Sequence, residues 1–293
     1  MENTFIIGCG YIGKRVAKLA MLKGNKVTAL VRSESSAKEL ENLGIDIFTG
    51  DLDHRETLPH LPLGNSILYY FAPPPPHGLI DIRIEAFTET INKPPYPKVV
   101  VLISTTGVYG NCKGEWVTEK RPPAPQAERA KRRLSAENIL QNWGEKNKVP
   151  VIILRVPGIY GPGKLPVKRL KEGLPVLREE DSPFSNRVHA DDLAKACIVA
   201  ARKGQGGSVY NICDGHPTTM TDYFYKVADL LKIVRPPAIT LEEAKKVLSK
   251  GMLSYLAESK RLDNRLMCEE LGLKLKYPDL NSGLSSCLKK LDS

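Results

Sequence analysis

The fold is decided by the stretch Thr4-Phe5-Ile6-Ile7-Gly8-Cys9-Gly10-Tyr11-Ile12-Gly13-Lys14-Arg15-Val16-Ala17. An apolar run is followed by the spacing G-x-G-x-x-G and then by the start of an amphipathic helix. In this order the first glycine lets a strand turn tightly, the second lets the backbone approach a pyrophosphate, and the third lets the helix pack against the strand. Free N–H groups at the positive end of the helix favour a phosphate. A glycine turn without a ligand is the alternative. The predicted dinucleotide contacts are Gly8, Cys9, Gly10, Tyr11, Ile12 and Gly13.

Strand and helix patterns alternate along the chain after this stretch. Parallel strands need long crossovers between them, which are usually helices. The alternation therefore predicts an α/β protein with a doubly wound parallel sheet of the Rossmann type. Further strands are predicted at 26–31, 45–48, 66–71, 98–103, 149–154 and 208–212, and helices at 11–23, 35–43, 79–91, 126–146 and 190–202.

The alternation loosens after residue 157. The segment 158–186 is rich in Gly, Pro and charged residues, and the segment 213–293 has a mostly helical pattern. We expect these two segments to form a small, mostly helical C-terminal substrate domain over the carboxyl end of the sheet. Residues 1–157 then form the dinucleotide-binding domain, to which residues 187–212 return.

Composition argues against several classes of function. The chain of 293 residues is 42% hydrophobic and has no apolar run near the ~20 residues that cross a bilayer. The net charge is +10, but the basic residues are interleaved with 33 acidic ones, so we expect a basic surface rather than nucleic-acid binding. The six cysteines show no C-x-x-C pair, and the first residues form a core strand rather than a signal peptide. These features predict a cytoplasmic protein with reduced thiols, no metal and no membrane contact. A small anionic molecule is the expected ligand.

The residues after the second predicted strand indicate which nicotinamide cofactor fits. A site selective for NAD usually has Asp or Glu here, bonded to the ribose 2′-hydroxyl. This chain has Arg32 followed by Ser33, and a guanidinium can hold a 2′-phosphate through paired hydrogen bonds. NADP is therefore predicted in preference to NAD, and an arginine that only faces solvent is the alternative. Asp51 and Leu52 are expected beside the adenine.

A run of prolines follows the strand predicted at 66–71. Ala72, Pro73 and Pro74 lie at the carboxyl end of that strand, where open α/β sheets bind ligands. A polyproline segment is stiff, and it can also recruit partner domains. We expect this one to form a rigid wall under the cofactor.

Three later motifs resemble those of the extended short-chain dehydrogenase/reductases, which include the sugar-nucleotide epimerases and dehydratases. The tail at 260–278 also resembles an ending found in one atypical branch of that family. The order and spacing of the motifs agree with the family over nearly the whole chain. The motifs are ISTTGVYG at 103–110, LRVPGIYGPG at 154–163 and RVHADDLA at 187–194.

The resemblance implies a catalytic apparatus that this chain only partly contains. The family typically combines a Ser or Thr with a Tyr-x-x-x-Lys pair on the next helix, where the lysine lowers the tyrosine pKa. Thr105, with Thr106 beside it, matches the Ser/Thr position. The tyrosine and lysine positions are occupied by Arg129 and Arg133. The proton-donating tyrosine is therefore absent.

Arginine stays protonated at any working pH, so it cannot act as an ordinary general acid or base. It can pair with a carboxylate or phosphate, or stabilise an oxyanion. Because Arg129 and Arg133 are four residues apart, we expect them to form a clamp for an anionic group of the substrate. A solvated basic helix face is the alternative. Thr105 and a bound water, helped by the two arginines, would then replace the tyrosine.

The same resemblance suggests roles for other motif residues. Tyr109 and Tyr160 each follow a predicted strand at the cofactor end, so Tyr109 is a candidate for catalysis and Tyr160 for substrate contact. Packing of loops is the alternative for both. Arg187 is expected to contact the substrate, and Ser104 and Pro157 are expected to contact the cofactor.

Three functions are compatible with these features. The first is an NADP-dependent oxidoreductase acting on a small anionic or sugar-like substrate. The second is an epimerase or dehydratase that uses the cofactor transiently with another base. The third is a non-catalytic NADPH-binding sensor or scaffold, which the lost tyrosine favours. The helix predicted at 126–146 corresponds to one that often packs in dimers of the family, which leaves a homodimer open.

Overall fold

The computed structural model describes residues 2–58 and 60–288 of the chain. No helix among these residues is both long enough and apolar enough to span a bilayer. The strands are β1 (Asn3–Ile7), β2 (Lys26–Val31), β3 (Asp46–Thr49), β4 (Ser66–Tyr70), β5 (Val99–Thr105), β6 (Trp116–Val117), β7 (Val151–Val156), β8 (Gly158–Tyr160), β9 (Val176–Leu177), β10 (Phe184–Ser185), β11 (Arg187–His189), β12 (Val209–Asn211), β13 (Thr218–Thr219), β14 (Ala238–Ile239) and β15 (Arg261–Leu262). The helices are α1 (Tyr11–Met21), α2 (Glu34–Glu41), α3 (Ile82–Thr90), α4 (Glu128–Asn147), α5 (Val167–Lys171), α6 (Ala190–Lys203), α7 (Met220–Leu230), α8 (Leu241–Val247), α9 (Lys250–Leu256), α10 (Arg265–Glu270) and α11 (Leu280–Leu288).

One parallel sheet forms the centre of the large domain. Its strand order is β12-β7-β5-β4-β1-β2-β3, and every neighbouring pair is parallel. β4 and β7 are buried along their whole length, as central strands covered on both faces should be. The chain builds the sheet outward from β1 in one direction and then from β4 in the other. The crevice between the carboxyl ends of β1 and β4 is therefore the topological switch point, where such sheets bind ligands.

Helices cover both faces of this sheet. On one face, Val16 of α1 and Leu193 of α6 are fully buried in one core cluster. On the other face, Phe87 of α3 and Leu140 of α4 are fully buried in a second cluster. The sheet is thus doubly wound, and the predicted α/β fold class is confirmed.

The elements predicted for the large domain are all present, with shifted ends. The largest shift concerns the helix predicted from residue 79, which begins at Ile82. The carboxylate of Asp81 accepts the backbone N–H groups of Arg83 and Ile84, both at 3.2 Å, and so caps the helix. Leu79 and the residue after it are left in an exposed loop.

The smaller domain has a core of its own, in which Tyr160, Val227 and Leu284 are fully or almost fully buried. The predicted division of the chain needs a correction, because residues 213–293 do not all belong to this domain. Met267 and Leu271 pack in the core of the large domain, and β15 pairs with β6. The apolar side chains of this stretch complete a core that the sheet helices leave open. β11 pairs with β8 outside the central sheet, and its Val188 is buried in the core of the large domain.

Candidate active site

The glycine turn after β1 combines two packing requirements with one open position. Gly8 has a φ of +87°, and a Cβ there would lie 2.5 Å from the backbone nitrogen of Ala72. A Cβ on Gly13 would lie 2.9 Å from the carbonyl oxygen of Gly8. A Cβ on Gly10 would meet nothing within 4 Å. Packing therefore requires the first and third glycines, whereas the second leaves free space beside the backbone, and this arrangement fits a pyrophosphate.

That space belongs to a groove of about 680 Å³ beside the carboxyl ends of β1, β2 and β4, called the dinucleotide groove below. Lys14, Glu39 and Lys164 line it as well, although the sequence did not single them out. The structure therefore brings together most of the residues predicted for the cofactor. The predicted residues that line the groove are Gly8, Cys9, Gly10, Tyr11, Ile12, Gly13, Arg32, Asp51, Leu52, Ala72 and Pro73.

Arg32 brings an exposed guanidinium to this groove, and within residues 2–58 and 60–288 it forms no ion pair. Ser33 does not line the groove, contrary to the prediction. Its hydroxyl caps α2 by accepting the N–H of Ser36 at 3.4 Å, and Ser36 lines the groove instead. A helix N-terminus beside a free guanidinium suits a phosphate.

The loop after β3 is braced against the proline run. Nε and Nη2 of Arg83 donate to the two carboxylate oxygens of Asp53 at 2.6 and 2.5 Å. Nη1 of Arg83 donates to the carbonyl oxygen of Pro73 at 3.1 Å. These hydrogen bonds lower the pKa of Asp53, so the pair is ionised at neutral pH. The bracing fixes the wall that the sequence predicted.

The thiol of Cys9, which lines the dinucleotide groove, is buried. Burial raises the pKa of Cys9 to about 12, which keeps its thiol neutral at physiological pH. Across the described part of the chain, no three His, Cys, Asp or Glu side chains are grouped to hold a metal ion.

A second cavity, of about 520 Å³, adjoins the groove and is called the charged pocket below. Arg133 lines both cavities. Pro74 and Pro157, which were predicted to contact the cofactor, line the charged pocket rather than the groove. Of the charged side chains in its wall, four are cationic and one is anionic: Arg129, Arg133, Arg187, Lys260 and Glu258. Other lining residues are Thr105, Thr106, Asn186, Phe184, Met252 and Tyr255.

The two arginines of α4 have different surroundings. Nη1 of Arg133 donates to the carbonyl oxygen of Ala72 at 3.2 Å, and no carboxylate within the described residues lies in ion-pair range of its guanidinium. Burial lowers the pKa of Arg133, but an arginine remains charged. Arg129 is already engaged: Nη1 donates to the hydroxyl of Ser254 at 2.7 Å, and Nη2 lies 3.9 Å from a carboxylate oxygen of Glu258. The structure thus brings both to the pocket but leaves only Arg133 free for a ligand.

Thr105 lies at the end of β5 and presents a hydroxyl to the charged pocket. Its oxygen accepts the N–H of Gly107 at 3.2 Å, which caps the short 3₁₀ helix Thr106–Tyr109. Because the oxygen is the acceptor in this bond, the hydroxyl proton is available to a ligand. Thr106 lines the same pocket.

Arg187 is a deeply buried cation of the pocket, with 9% of its surface exposed. Its Nη1 donates to the carbonyl oxygen of Asn186 at 3.2 Å, and its guanidinium stacks 4.1 Å from the ring of Tyr223. Its Nε has no partner. The buried Asp214 lies outside ion-pair range, and burial raises the pKa of that carboxyl to about 6. A buried guanidinium with a free donor is costly unless an anion completes it.

Glu258 and Lys260 are pocket residues that the sequence reasoning missed. Nζ of Lys260 donates to Glu258 at 2.8 Å, and the side chains are only 7% and 11% exposed respectively. Both come from the segment that leads into β15, whose pairing with β6 brings them to the pocket. The alternation of charge around residues 258–261 is too short a signal to reveal this, because the partner strand is far away in the sequence.

Ser104 and Tyr109, which were predicted to be site residues, do not line the pocket. They belong to a buried hydrogen-bond network beneath it. The hydroxyl of Ser104 donates to Glu137, which also accepts from Arg155 at 2.7 Å. The hydroxyl of Tyr109 donates to Asn211 at 2.8 Å, and the tyrosine is 2% exposed. Tyr109 therefore does not face the pocket, and Ser104 faces neither cavity. Burial raises the pKa of Tyr109, which further argues against proton transfer there.

Tyr160 does not contact either cavity, contrary to the prediction. It is fully buried in the core of the small domain, and its hydroxyl donates to the carbonyl oxygen of Asp279 at 3.3 Å. A Cβ added to Gly283 would clash with this hydroxyl, so the tyrosine fixes the approach of α11. The alternative given by the sequence, a packing role, agrees with this position.

Comparisons with known proteins place the chain in context. The model of the NAD dependent epimerase/dehydratase family matches residues 86–213, and that of the TrkA-N domain matches residues 4–68. Protein YeeZ of Escherichia coli (strain K12) is 26% identical over 291 residues, which cover 95% of this chain and 97% of that protein. A functionally unknown conserved protein from Silicibacter pomeroyi has a solved structure that superposes with a TM-score of 0.87 at 26% identity, covering 100% of both chains. The dTDP-glucose 4,6-dehydratase of Bacillus anthracis, solved in complex with NAD, shares the fold with a TM-score of 0.80 at 21% identity, covering 100% of this chain and 97% of that one.

A doubly wound sheet with a glycine turn at its switch point defines a Rossmann-fold dinucleotide-binding protein. Within that class, the chain is similar to the NAD dependent epimerase/dehydratase family, whose model matches residues 86–213. The comparisons therefore support the resemblance found in the sequence.

Proposed function

We propose that the protein is an NADP-dependent oxidoreductase whose substrate is a small anion bound in the charged pocket. One observation carries the proposal: the dinucleotide groove opens at Arg133 into a separate cavity of about 520 Å³ with four cationic side chains and one carboxylate. A sensor that only held the dinucleotide would have no need of this second, charged cavity.

The preference for NADP is supported by the groove beside Arg32. An NAD site would place a carboxylate near the ribose 2′-hydroxyl, whereas Arg32, next to the N-terminus of α2, forms no ion pair with any described residue. Glu39 lines the groove as well, but it is in contact with Lys14. The Bacillus anthracis dehydratase was solved with NAD, so the choice between the two dinucleotides must be measured on this chain.

The nicotinamide ring would supply hydride transfer. The protein would donate a proton to the substrate and stabilise the charge that develops on it. Thr105 donates its free hydroxyl proton to the reacting oxygen of the substrate, and a water molecule relays the proton from solvent. Arg133 stabilises the negative charge that develops on that oxygen, because its guanidinium carries no carboxylate partner. Thr105 and Arg133 together replace the proton-donating tyrosine of the family.

The substrate would be held by its anionic group at the far wall. The guanidinium of the buried Arg187 and the ammonium of Lys260 line this wall and supply donors there. Charge-assisted hydrogen bonds to a carboxylate or phosphate would satisfy the buried guanidinium that the ligand-free protein leaves incomplete. A neutral sugar would not compensate these charges.

A second candidate function is an epimerase or dehydratase that uses the cofactor transiently. Glu258 favours it, because this carboxylate lines the pocket and a carboxylate can accept a proton from a substrate. Proton exchange at a substrate carbon without net oxidation of NADP(H) would distinguish this reaction from the first.

The test is calorimetric titration of the protein with NADPH, NADP, NADH and NAD, repeated for Arg32→Ala. We expect NADPH to bind most tightly and to lose about 10- to 100-fold in affinity in the variant, with little change for NADH. Arg55→Ala serves as a matched control, because Arg55 is an exposed arginine outside the groove. A screen of small carboxylates and phosphate esters by NADPH absorbance then follows. Failure of all four dinucleotides to bind would refute the proposal.

A further inference from the structure

Arg129, at the position where the family has its tyrosine, holds three parts of one distant segment. Its Nη1 donates to the Ser254 hydroxyl at 2.7 Å, and its guanidinium carbon lies 3.9 Å above the centre of the Tyr255 ring. Its Nη2 lies 3.9 Å from Glu258. Ser254 and Tyr255 belong to α9, and Glu258 follows that helix directly. A single side chain of α4 therefore fastens a helix that is about 125 residues further along the chain.

The helix α9 has few other attachments. It contains no buried residue, and α8 before it contains only one, Ala244. Met252 and Leu256 are half-buried towards Phe224 of the small domain. An element with so little buried apolar surface opens locally at low free-energy cost. The contacts of Arg129 thus contribute a large share of what keeps α9 in place.

Met252 and Tyr255 also line the charged pocket. The position of α9 therefore affects the volume of the cavity that also contains Arg187 and Thr105. We call residues 250–256 the roof helix.

We propose that Arg129 is a positioning residue that fastens the roof helix over the charged pocket, and that Met252 and Tyr255 set the size of substrate the pocket admits. This inference rests on the proposed function in one respect, which is that the charged pocket is the substrate site. It differs from the clamp expected from the sequence, in which Arg129 and Arg133 would both bind the substrate. The family has a proton-donating tyrosine at this position, whereas Arg129 holds the roof helix in place.

Limited trypsin digestion of the whole protein tests the fastening without a substrate. Lys245, Lys246 and Lys250 are exposed in the roof region, and cleavage after them requires local opening. We expect Arg129→Met to raise the rate of cleavage there about tenfold, since an ordinary hydrogen bond and a cation–π contact together change a local equilibrium by about that factor. Lys131→Ala is the matched control, because Lys131 is an exposed cation on the same helix.

Conservative and reciprocal variants separate positioning from general stability. Arg129→Lys keeps a cation that can reach Ser254 and Glu258, so it should restore about half of the protection on a logarithmic scale. Ser254→Ala removes one attachment from the roof side and should accelerate cleavage about threefold. This variant also keeps the test decisive if Arg129→Met fails to fold.

The outcomes are distinct. Faster cleavage confined to residues 245–250, with partial rescue by Arg129→Lys, would support the proposal. Unchanged cleavage in Arg129→Met, or equal acceleration in Lys131→Ala, would overturn it. The dinucleotide titration of the wild-type protein is run in parallel. Its failure would refute the proposed function while leaving the result on the roof helix intact.

Discussion

The dinucleotide groove and the charged pocket are built in opposite ways. The groove is formed largely by backbone at the switch point, and its central requirement is the absence of side-chain atoms at Gly10. The pocket is formed by charged side chains from α4, β11 and the segment before β15. Backbone N–H groups suit a pyrophosphate whatever is attached to it, whereas a set of cations selects its ligand by charge and size. One cavity is therefore general to the fold, and the other is particular to this chain.

The largest expected effect is a loss of dinucleotide binding with the fold unchanged. Gly10→Val places a branched side chain in the only free space beside the turn, so dinucleotide binding should fall by at least 1000-fold on steric grounds, about 4 kcal/mol of binding free energy. The melting temperature should change little, because nothing lies within 4 Å of that Cβ. Titration and thermal denaturation of the same sample measure both, and Gly10→Ala should be intermediate. A large fall in melting temperature would show that the turn, rather than the ligand, needs this glycine.

The next effect concerns the acid behind the pocket wall. Burial raises the pKa of Asp214 from 3.8 to about 6, so the folded protein binds its proton more tightly than the unfolded chain does. The contribution of Asp214 to the free energy of unfolding should therefore fall by about 3 kcal/mol as pH rises from about 4 to 6. Asp214→Asn should remove this slope and stabilise the protein at pH 7. Denaturant unfolding between pH 4 and 7 measures it, with Asp222→Asn as a surface control; an unchanged slope would contradict the assignment.

A smaller effect separates binding from stability at the pocket. Arg187→Met removes a buried guanidinium with an unpaired Nε, so the free energy of unfolding should stay equal or rise by up to about 2 kcal/mol. Thermal denaturation checks this prediction. If the variant instead loses more than about 2 kcal/mol, Arg187 is a structural residue and the pocket has lost its main anion contact.

The smallest expected effect is on stability and concerns the ion pair between Arg83 and Asp53 at the rim of the groove. Arg83→Lys replaces the paired hydrogen bonds to Asp53 by a single ammonium contact, and the site is partly exposed. We expect a loss of under about 1 kcal/mol in stability, because surface ion pairs contribute little. Chemical denaturation resolves such a change. A loss above 2 kcal/mol would mean that the proline wall carries more of the fold than its exposure suggests.

The sequence predicted the groove well because its residues are local. The spacing of Gly8, Gly10 and Gly13 already specifies a turn, and its chemistry depends on neighbours within six residues. Arg32 and Ala72 each follow a recognisable strand, whose carboxyl end fixes where they lie. Ser33 lies outside the groove because its hydroxyl caps α2, and Pro74, Ser104 and Pro157 also lie outside it.

The charged pocket was predicted only in part, because long-range contacts decide it. Glu258 and Lys260 reach the pocket through the pairing of β15 with β6, which no local pattern indicates. Tyr109 and Tyr160 were assigned from their place after a strand, yet both point into cores. The spacing of Arg129 and Arg133 correctly predicted one helix face. This spacing could not show that Arg129 would donate a hydrogen bond to Ser254, which is far away in the sequence.

The return of residues 260–273 to the large domain has a consequence for the order of folding. Met267, Leu271 and Leu273 belong to the same core as the first strand and helix. During synthesis, the sheet and most of its helices are complete by residue 211, but part of their core stays uncovered until Met267, Leu271 and Leu273 have been made. The nascent large domain therefore exposes apolar surface until these residues are synthesised, and exposed apolar surface favours binding by chaperones.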